Sequence, residues 1–407
     1  SVIRAYAFEG CESLRQVELK DGVYVGVHAF EDCSGITDIR LTGEEGKVCL
    51  AEYAFSGCTA LQRAVLQGRT WTYQGYGDIL SETLPETARL LLHSAYSCFE
   101  VEQEEELCGY RGAGRRVKIP HGIRRIRAEV FRDRLMLRDV DIPESVEYIG
   151  ARAFHGTAWM EQRKKENPLV SVNHMLLDGS ACQGEVTVPE DIRLVCGWAF
   201  ANGMEIRRIR FLSDQVRVEE YAFRNCIFLE EMLLADGTLV TFTGLGDRNR
   251  ELPPPAAQAA ADSMNCFKTN EDGVLLLCTG NISRLRLAYG ITAIGEGAFQ
   301  DGNLLTEVML PETVRSIGKC AFSGCRWLEE VRGARAVEQI GDRAFSGCSV
   351  LRRVELSEKL RRIGARAFEN CTALEEILLP EGVEEIPAKA FYRCRSLRRV
   401  ELPSTLK

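Results

Sequence analysis

The residues of this sequence that could carry out chemistry are five histidines, sixteen cysteines and many carboxylates. The histidines show no H-E-x-x-H or other ligand spacing, the cysteines form no C-x-x-C pair, and no G-x-S-x-G turn occurs. Adjacent carboxylates such as Glu384 and Glu385 recur with a fixed period, which is typical of a solvated face and not of a catalytic pair. The sequence therefore predicts no enzyme, no metal site and no cofactor.

Eight of the cysteines occupy one recurring position, the third residue after a phenylalanine. They are Cys11, Cys33, Cys58, Cys226, Cys325, Cys348, Cys371 and Cys394. A position that recurs once per repeat places its members in a column, where a small, weakly polar thiol can meet backbone groups at a turn. We interpret the column as packing, with disulfides and metal binding as the alternatives.

Charged residues also recur in a regular pattern, as pairs that change sign every 23 residues. The main series is Glu329-Glu330, Arg352-Arg353, Glu375-Glu376 and Arg398-Arg399; a second is Glu338, Arg361-Arg362, Glu384-Glu385 and Lys407; Arg207-Arg208 and Glu230-Glu231 form a further step. Because equivalent residues on stacked repeats lie about 5 Å apart, we expect opposite charges to face each other. Such a pattern fixes the register of stacking, and it also offers a mixed-charge surface to a protein partner. It disfavours nucleic acid, which prefers uninterrupted basic residues.

An aromatic cluster consists of Trp71, Tyr73 and Tyr76. Exposed aromatic side chains could bind a glycan or anchor a protein partner. The matching stretch about 168 residues later holds Leu239, Phe242 and Leu245, which favours packing beneath an added element. The adjoining G-x-G-D sequence is a weak phosphate-loop motif because it lacks a third glycine or a lysine. The candidate partner-binding residues are therefore Trp71, Tyr73, Tyr76, Arg207, Arg208, Glu330, Arg352, Arg353, Glu376, Arg398 and Arg399.

A repeat of about 23 residues must position all these side chains. It is anchored by twelve phenylalanines: Phe8, Phe30, Phe55, Phe131, Phe154, Phe200, Phe223, Phe299, Phe322, Phe345, Phe368 and Phe391. A fixed period in this range is typical of a solenoid, in which each repeat covers the apolar face of its neighbour. We expect a right-handed superhelix of short strands and turns, with a few short helices and hairpins on its outside.

Within one repeat, an L-x-x-V-x-L strand comes first, as in Leu351, Val354 and Leu356. Val354 and Leu356 are two residues apart and share one face of the strand, which we expect to point inward. A second short extended run ends at Gly364, where the chain turns, and Phe368 then fills the corner of the core.

The spacing between successive anchoring phenylalanines widens to 76 residues twice, from Phe55 to Phe131 and from Phe223 to Phe299, and the repeat pattern lapses within each of these gaps. The two lapses resemble each other, which indicates a long-range duplication. Each is expected to hold a helix led by proline and then a strand pair: residues 86–96 and 99–110 in the first, and 256–264 and 267–279 in the second. A charged helix over 159–166, a strand pair over 167–179 and a turn-rich insertion at 43–46 are also predicted.

These features divide one continuous solenoid over residues 1–407 into six blocks. They are repeats (1–70), a helix plus hairpin insertion (71–130), repeats (131–166), a hairpin plus repeats (167–238), a second helix plus hairpin insertion (239–298) and regular repeats (299–407). Because the chain begins and ends inside repeats, we expect it to be part of a longer protein, and the lack of a signal peptide says little about location.

Composition narrows the class of protein. With 45% hydrophobic and 27% charged residues, the chain has the make-up of an ordinary globular protein, and no apolar run reaches the length of a bilayer-spanning segment. The net charge of −8 argues against nucleic acid as a partner.

The repeat A-F-x-x-C-x-x-L-x-x-V-x-L-P-x-x-V-x-x-I-G resembles the BspA-type leucine-rich repeat of bacterial surface proteins, and the resemblance extends over almost the whole chain. It implies a surface or secreted protein that adheres to host matrix proteins or to other cells. Two alternatives stay open: an intracellular scaffold that holds protein partners, and a glycan-binding module that uses Trp71 and Tyr76. The family's repeat motif fixes no binding residues, so none is transferred here.

Overall fold

The computed structural model describes residues 1–43, 47–263, 265–279 and 282–407. These residues form two compact units, Ser1–Ala181 with Asp191–Ala199, and Cys182–Glu190 with Phe200–Lys407. Each unit is built mainly from short strands and turns, so the predicted repeat solenoid is confirmed. Residues 44–46 of the predicted insertion, and Met264 at the predicted end of a helix, lie outside the described residues.

The first unit contains sixteen strands. They are β1 (Val2–Ile3), β2 (Gln16–Lys20), β3 (Val23–Val25), β4 (Asp38–Thr42), β5 (Val48–Leu50), β6 (Arg63–Leu66), β7 (Arg69–Thr72), β8 (Phe99–Glu102), β9 (Glu106–Tyr110), β10 (Arg116–Lys118), β11 (Arg125–Ile126), β12 (Asp139–Asp141), β13 (Tyr148–Ile149), β14 (Val170–Val172), β15 (Met175–Asp178) and β17 (Leu194–Val195) among the described residues. Strands of successive coils pair in parallel, as in β2, β4 and β6, or β9, β11 and β13.

The second unit follows the same plan. Its strands are β16 (Gly184–Val188), β18 (Ile206–Phe211), β19 (Arg217–Val218), β20 (Glu231–Leu233), β21 (Leu239–Thr241), β22 (Phe267–Thr269), β23 (Val274–Cys278), β24 (Arg284–Arg286), β25 (Ala293–Ile294), β26 (Glu307–Met309), β27 (Ser316–Ile317), β28 (Glu330–Arg332), β29 (Gln339–Ile340), β30 (Arg353–Val354), β31 (Arg362–Ile363), β32 (Glu376–Leu378) and β33 (Arg399–Glu401). Two parallel ladders, β24-β26-β28-β30 and β23-β25-β27-β29-β31, run through the regular repeats.

Three α-helices decorate the described coils: α1 (Glu86–Ala95), α2 (Ala158–Glu166) and α3 (Pro254–Ser263). Each helix begins within two residues of its predicted first residue. Proline marks the start of α1 and of α3, and the N-cap residue Thr157 marks the start of α2. The Thr157 hydroxyl accepts a hydrogen bond from the backbone N–H of Met160 at 3.1 Å. A short 3-10 helix, over Tyr76–Leu80 or Leu245–Asn249, precedes α1 and α3.

The three predicted strand pairs are also present, as the antiparallel pairs β8-β9, β14-β15 and β22-β23. Asn173 and His174 form the turn between β14 and β15 with positive φ values of 46° and 65°. A histidine thus takes the left-handed conformation for which glycine is usual at a hairpin turn.

One coil of the second unit shows how the repeat residues build the core. Leu351 is fully buried, and Val354 and Ile363 are buried where β30 and β31 pair with the preceding coil. Leu356, expected to point inward, is only half-buried. The inward side chains of each coil therefore cover those of its neighbours, which removes apolar surface from water.

Gly364 illustrates how closely the coils approach each other. Its N–H donates to the carbonyl of Ile340 at 2.7 Å. A Cβ at this position would lie 2.3 Å from the backbone nitrogen of Asp342 and 2.4 Å from the carbonyl carbon of Gly341. Glycine is therefore required here by backbone contact between coils, in addition to the turn that the sequence predicts.

The anchoring phenylalanines form stacked columns. The rings of Phe322, Phe345 and Phe368 are fully buried, with neighbouring centroids 5.2 Å apart and ring planes within 9° of each other. This separation is close to the strand spacing of about 4.8 Å, so one ring per coil fills the corner without a gap.

Candidate partner-binding surfaces

The cysteine column is a hydrogen-bonded structural feature. In Cys33, Cys58, Cys226, Cys325, Cys348, Cys371 and Cys394, the thiol donates to the carbonyl of the phenylalanine one coil earlier, with S···O distances of 2.9 to 3.2 Å. Burial raises the pKa of Cys325 and Cys394 to about 11 and that of Cys33 and Cys226 to about 12. These contacts confirm the packing interpretation, except that Cys11 in the first coil is exposed.

Thiol labelling should separate these cysteines from the exposed ones. At pH 8 a thiol with a pKa of about 11 is ionised in only about one molecule in a thousand, and the thiolate is the reacting form. We expect Cys11 and Cys49, both exposed, to react promptly with an aromatic disulfide reagent, and the seven hydrogen-bonded thiols to react only after unfolding. Mass spectrometry of the labelled peptides measures this directly. Prompt labelling of several column cysteines in the folded chain would contradict it.

The outward face of the ladder β24-β26-β28-β30 carries charged residues in register, but the predicted alternation of sign holds only in part because Glu307 faces Glu330. Arg284, Glu307, Glu330 and Arg353 face each other in register on successive coils. A polar groove of about 390 Å³ follows this row and is also lined by Thr306, Glu329 and Arg352. The structure thus brings Glu330, Arg352 and Arg353 together on one exposed surface, which we call the charged face.

Ion pairs connect some neighbouring coils of the predicted series, although among the described residues none joins Glu330 to Arg353, which face each other in register. Arg207 lies 3.5 Å from Glu230, and Arg208 lies 2.6 Å from Glu231 and 3.3 Å from Glu185. Further along, the carboxylate of Glu376 lies 3.9 Å from the guanidinium groups of both Arg353 and Arg399. The carboxylate of Glu330 instead pairs with Arg332 of its own strand at 2.6 Å. The backbone N–H of Arg398 donates to Glu375 at 2.8 Å, and its side chain is exposed.

The second predicted series differs in one respect. Lys407 pairs with Glu384 at 2.6 Å as expected. Arg361 instead donates to the backbone carbonyls of Leu360 and Glu381, both at 3.2 Å. Its guanidinium lies against Gly382, which has no side chain to exclude it, so this arginine closes a turn where an ion pair was predicted.

Reversing charge on the charged face should lower stability modestly. Replacing Arg352 and Arg353 by glutamate opposes like charges on both neighbouring coils, at an expected loss of about 0.2–1 kcal/mol for each opposed pair. Thermal unfolding at low and high salt measures the effect, which should shrink as salt screens the repulsion. An unchanged melting temperature at low salt would remove the argument that the charges set the register.

Large exposed apolar side chains shortly precede the strands of the charged face in the sequence, and the repeat pattern did not predict them. Trp327 is 60% exposed and Leu304 is 50% exposed, at equivalent positions on adjacent coils. Each precedes its strand by three residues: Leu304 lies before Glu307 of β26, and Trp327 lies before Glu330 of β28. No repeat pattern marks them, because the equivalent position ranges from Gly35 and Ala60 to Met136 and Phe228 among the twelve repeats.

The aromatic cluster of the first unit packs largely beneath α1. Tyr73 is buried, and its hydroxyl donates to the carbonyl of Ala88 at 2.7 Å. Tyr76 is half-buried and stacks with Tyr96, with ring centroids 6.4 Å apart. Trp71 is also half-buried, so the cluster presents only parts of two rings to a ligand.

The adjoining G-x-G-D loop joins the insertion to the coil that follows it. The Asp78 carboxylate accepts from the N–H groups of Gln74 and Gly75, and the N–H of Tyr76 donates to the carbonyl of His121 at 2.8 Å. A Cβ on Gly75 would lie 2.1 Å from that carbonyl oxygen. The N–H groups of this loop are therefore engaged within the protein, which explains the motif without a phosphate.

One cluster of possible metal ligands occurs among the described residues, consisting of Glu102, Glu106 and Cys108. The guanidinium of Arg127 lies within hydrogen-bond distance of both carboxylates, at 2.9 Å from Glu106. This contact lowers the pKa of Glu102 and neutralises the cluster. The group is thus accounted for as an ion-pair network.

The sequence matches a known family over most of its length. A family model described as the BspA type leucine rich repeat region, with 6 copies, matches residues 1–76, 110–230 and 279–407. No curated protein matches the chain. None of the helices in the described ranges is both long enough and apolar enough to cross a membrane.

Solved structures of bacterial leucine-rich repeat proteins are similar to the chain. A leucine-rich cell surface protein from Faecalibacterium prausnitzii has 20% sequence identity and a TM-score of 0.31, with 98% of this chain and 82% of that chain covered. A leucine-rich repeat protein from Bacteroides ovatus has 19% identity and a TM-score of 0.33, with 97% and 82% covered. The Treponema pallidum leucine-rich repeat protein has 28% identity and a TM-score of 0.33, with 38% of this chain and 72% of that chain covered.

Since these TM-scores are low, membership rests on the repeat itself. The family model covers most of the chain, and the residues that it matches build the stacked coils of both units. The chain belongs to the BspA-type leucine-rich repeat family.

Proposed function

We propose that this chain is a non-catalytic scaffold that binds proteins, located at the bacterial cell surface or secreted, and that it recognises host matrix proteins or proteins of other cells. The observation that carries the proposal is the charged face, on which exposed arginines and half-buried glutamates lie in register on successive coils, with the exposed Trp327 three residues before Glu330. Family membership supports the scaffold role, because repeat solenoids present broad surfaces without a catalytic cleft.

The physical basis is a mixed-charge surface next to an apolar anchor. Exposed ion pairs add little to folding, so rows of them such as Arg353 and Glu376 are available to exchange partners with a charged protein at small cost. An exposed tryptophan brings large contact area with few rotatable bonds, which is typical of interface hot spots. Trp327 would anchor the partner, and the charges would orient it.

Two other functions remain as alternatives. An intracellular scaffold would use the same face for a partner inside the cell. A glycan-binding module would use the half-buried rings of Trp71 and Tyr76, which offer less exposed surface than Trp327 does. The charged face favours the protein-binding proposal over the glycan-binding one.

The experiment is a binding screen of the purified chain by interferometry against fibronectin, fibrinogen and a glycan panel, at physiological and at high salt. Saturable binding to a matrix protein that weakens with salt is the expected result. A blank across the panel would contradict the adhesive role and favour the intracellular scaffold. Binding to glycans alone would favour the third function.

A further inference from the structure

The second unit contains a groove that is separate from the polar groove along the charged face. It has a volume of about 810 Å³ and crosses four successive coils at the C-terminal ends of their first strands. Equivalent residues Arg286, Met309, Arg332 and Glu355 follow one another along it. The insertion closes one end of the groove with Phe242 and Gly244.

The floor of this groove is apolar. Leu287 and Leu310 are buried beneath it, with Leu229 and Phe267 at the closed end. On the third coil, Gly333 stands where the neighbouring coils carry Leu310 and Leu356. Gly333 has a φ of +75°, and a Cβ there would lie 2.4 Å from the carbonyl oxygen of Leu310, so glycine is required and no side chain lines the groove at this position.

The rim of the groove carries charges of both signs along its length. Arg286 pairs with Glu230 at 2.9 Å, and Arg332 pairs with Glu330 at 2.6 Å. Arg335 is exposed, and none of the described carboxylates forms an ion pair with it. Glu312 and Glu355 complete the rim. Arg335 is thus a cation at the mouth of an apolar groove with no anion held against it.

The first unit has a counterpart, which shows that the groove arises where an insertion meets the coils after it. It is lined by Tyr73, Lys118, Ile119, His121 and Glu144, with a volume of about 360 Å³. Lys118 and Glu144 correspond to Arg286 and Glu312 in the duplication. The second groove is longer because its lining continues onto a third and a fourth coil.

We propose that the groove of the second unit binds an extended peptide segment of a protein partner, with large apolar side chains on the floor and an acidic side chain beside Arg335. Three coil steps of about 4.8 Å span about 14 Å, which four or five extended residues would cover. The volume is within the usual range of about 300–1,000 Å³ for ligand sites. This inference deepens the proposed protein-binding function and rests on it.

The distribution of charge favours a peptide over a fatty acid. A fatty acid carries one charge at one end and would leave most of the rim unmatched. A peptide has polar groups along its whole length, so it can meet Glu312 and Glu355 with backbone N–H groups while its carboxylate reaches Arg335. Alternate side chains of an extended segment point to the same side, which suits a floor with separate apolar positions.

The experiment selects peptides from a random heptapeptide phage library on the full chain and measures their affinity for matched variants. Met309→Glu places a charge in the groove, whereas Leu378→Glu does so at the equivalent strand position three coils later, outside the residues that line this groove; the two side chains are 39% and 42% exposed. Arg335→Glu is compared with Arg395→Glu, another exposed arginine. All four positions are exposed, so the variants should fold.

We expect selected sequences with apolar residues at alternate positions and at least one acidic residue. Their affinity should fall at least about tenfold in Met309→Glu and Arg335→Glu, and change less than about twofold in the two controls. No enriched sequence family, or equal loss in groove and control variants, would overturn the proposal. Displacement of a fluorescent fatty acid without any peptide binding would assign the groove to an amphiphile and overturn it too.

The result is distinguishable from that of the matrix-protein screen. Peptide binding in the groove with a blank matrix panel would leave the groove assignment standing and reject the adhesive role. Matrix binding that depends on the charged face, with no peptide selected, would do the reverse.

Discussion

Replacing Phe345 by alanine should lower the free energy of unfolding by about 3–5 kcal/mol. The ring is fully buried and stacks on Phe322 and Phe368 at centroid distances of 5.2 Å, so its removal leaves a cavity in the middle of a continuous column. The flanking coils are held by parallel strands and cannot collapse into that space without breaking hydrogen bonds. Urea unfolding followed by circular dichroism measures the loss.

Phe8→Ala is the matched control, since Phe8 stacks on Phe30 alone and is 44% exposed. We expect it to cost much less than Phe345→Ala because little buried volume is vacated. Equal losses from the two substitutions, or a loss below about 1 kcal/mol for Phe345→Ala, would mean that the column does not carry the core.

Gly364→Ala should destabilise the regular repeats by about 1–3 kcal/mol. The added methyl group would lie 2.3 Å from the backbone nitrogen of Asp342, so the two coils must separate and strain the hydrogen bond from Gly364 to Ile340. Because backbone and not a flexible side chain is in the way, local rearrangement cannot relieve the clash. The unfolding midpoint in urea is the readout.

Gly246→Ala is the control for backbone freedom, since nothing lies within 4 Å of a Cβ there and its φ is not in the left-handed region. We expect a small change in stability for Gly246→Ala. If both substitutions shift the midpoint equally, close approach between coils is not what requires glycine at the Gly364 position.

The features predicted from the sequence are those that repeat. The phenylalanine columns and the thiol hydrogen bonds each recur once per coil, so one period was sufficient to place them. Opposite charges face each other at only some coil steps, because Glu307 faces Glu330. The helices α1 and α3 were located by proline at their starts and by their departure from the repeat. The fold was therefore largely readable from spacing alone.

The features that the sequence did not show arise where the period is broken. The antiparallel strand β7 follows a turn at Gln67 and Gly68, both with positive φ, which only the backbone reveals. The groove of the second unit is lined by Gly333 and by an insertion that returns to contact later coils. Arg361 binds carbonyls because Gly382 is small, and such a contact between coils is not encoded in either residue's own repeat position.

The most direct test of the charged face compares the affinity of the chain, Trp327→Ala and Tyr392→Ala for whichever of fibronectin or fibrinogen binds. Both side chains are exposed aromatics of the second unit, 60% and 42% accessible, but Trp327 lies three residues before strand β28 of the charged face, whereas Tyr392 lies seven residues before β33. Loss of a hot spot of about 2 kcal/mol would weaken binding about thirtyfold for Trp327→Ala and leave Tyr392→Ala close to the unmodified chain. Equal affinities for all three proteins, or binding to neither matrix protein, would contradict the account.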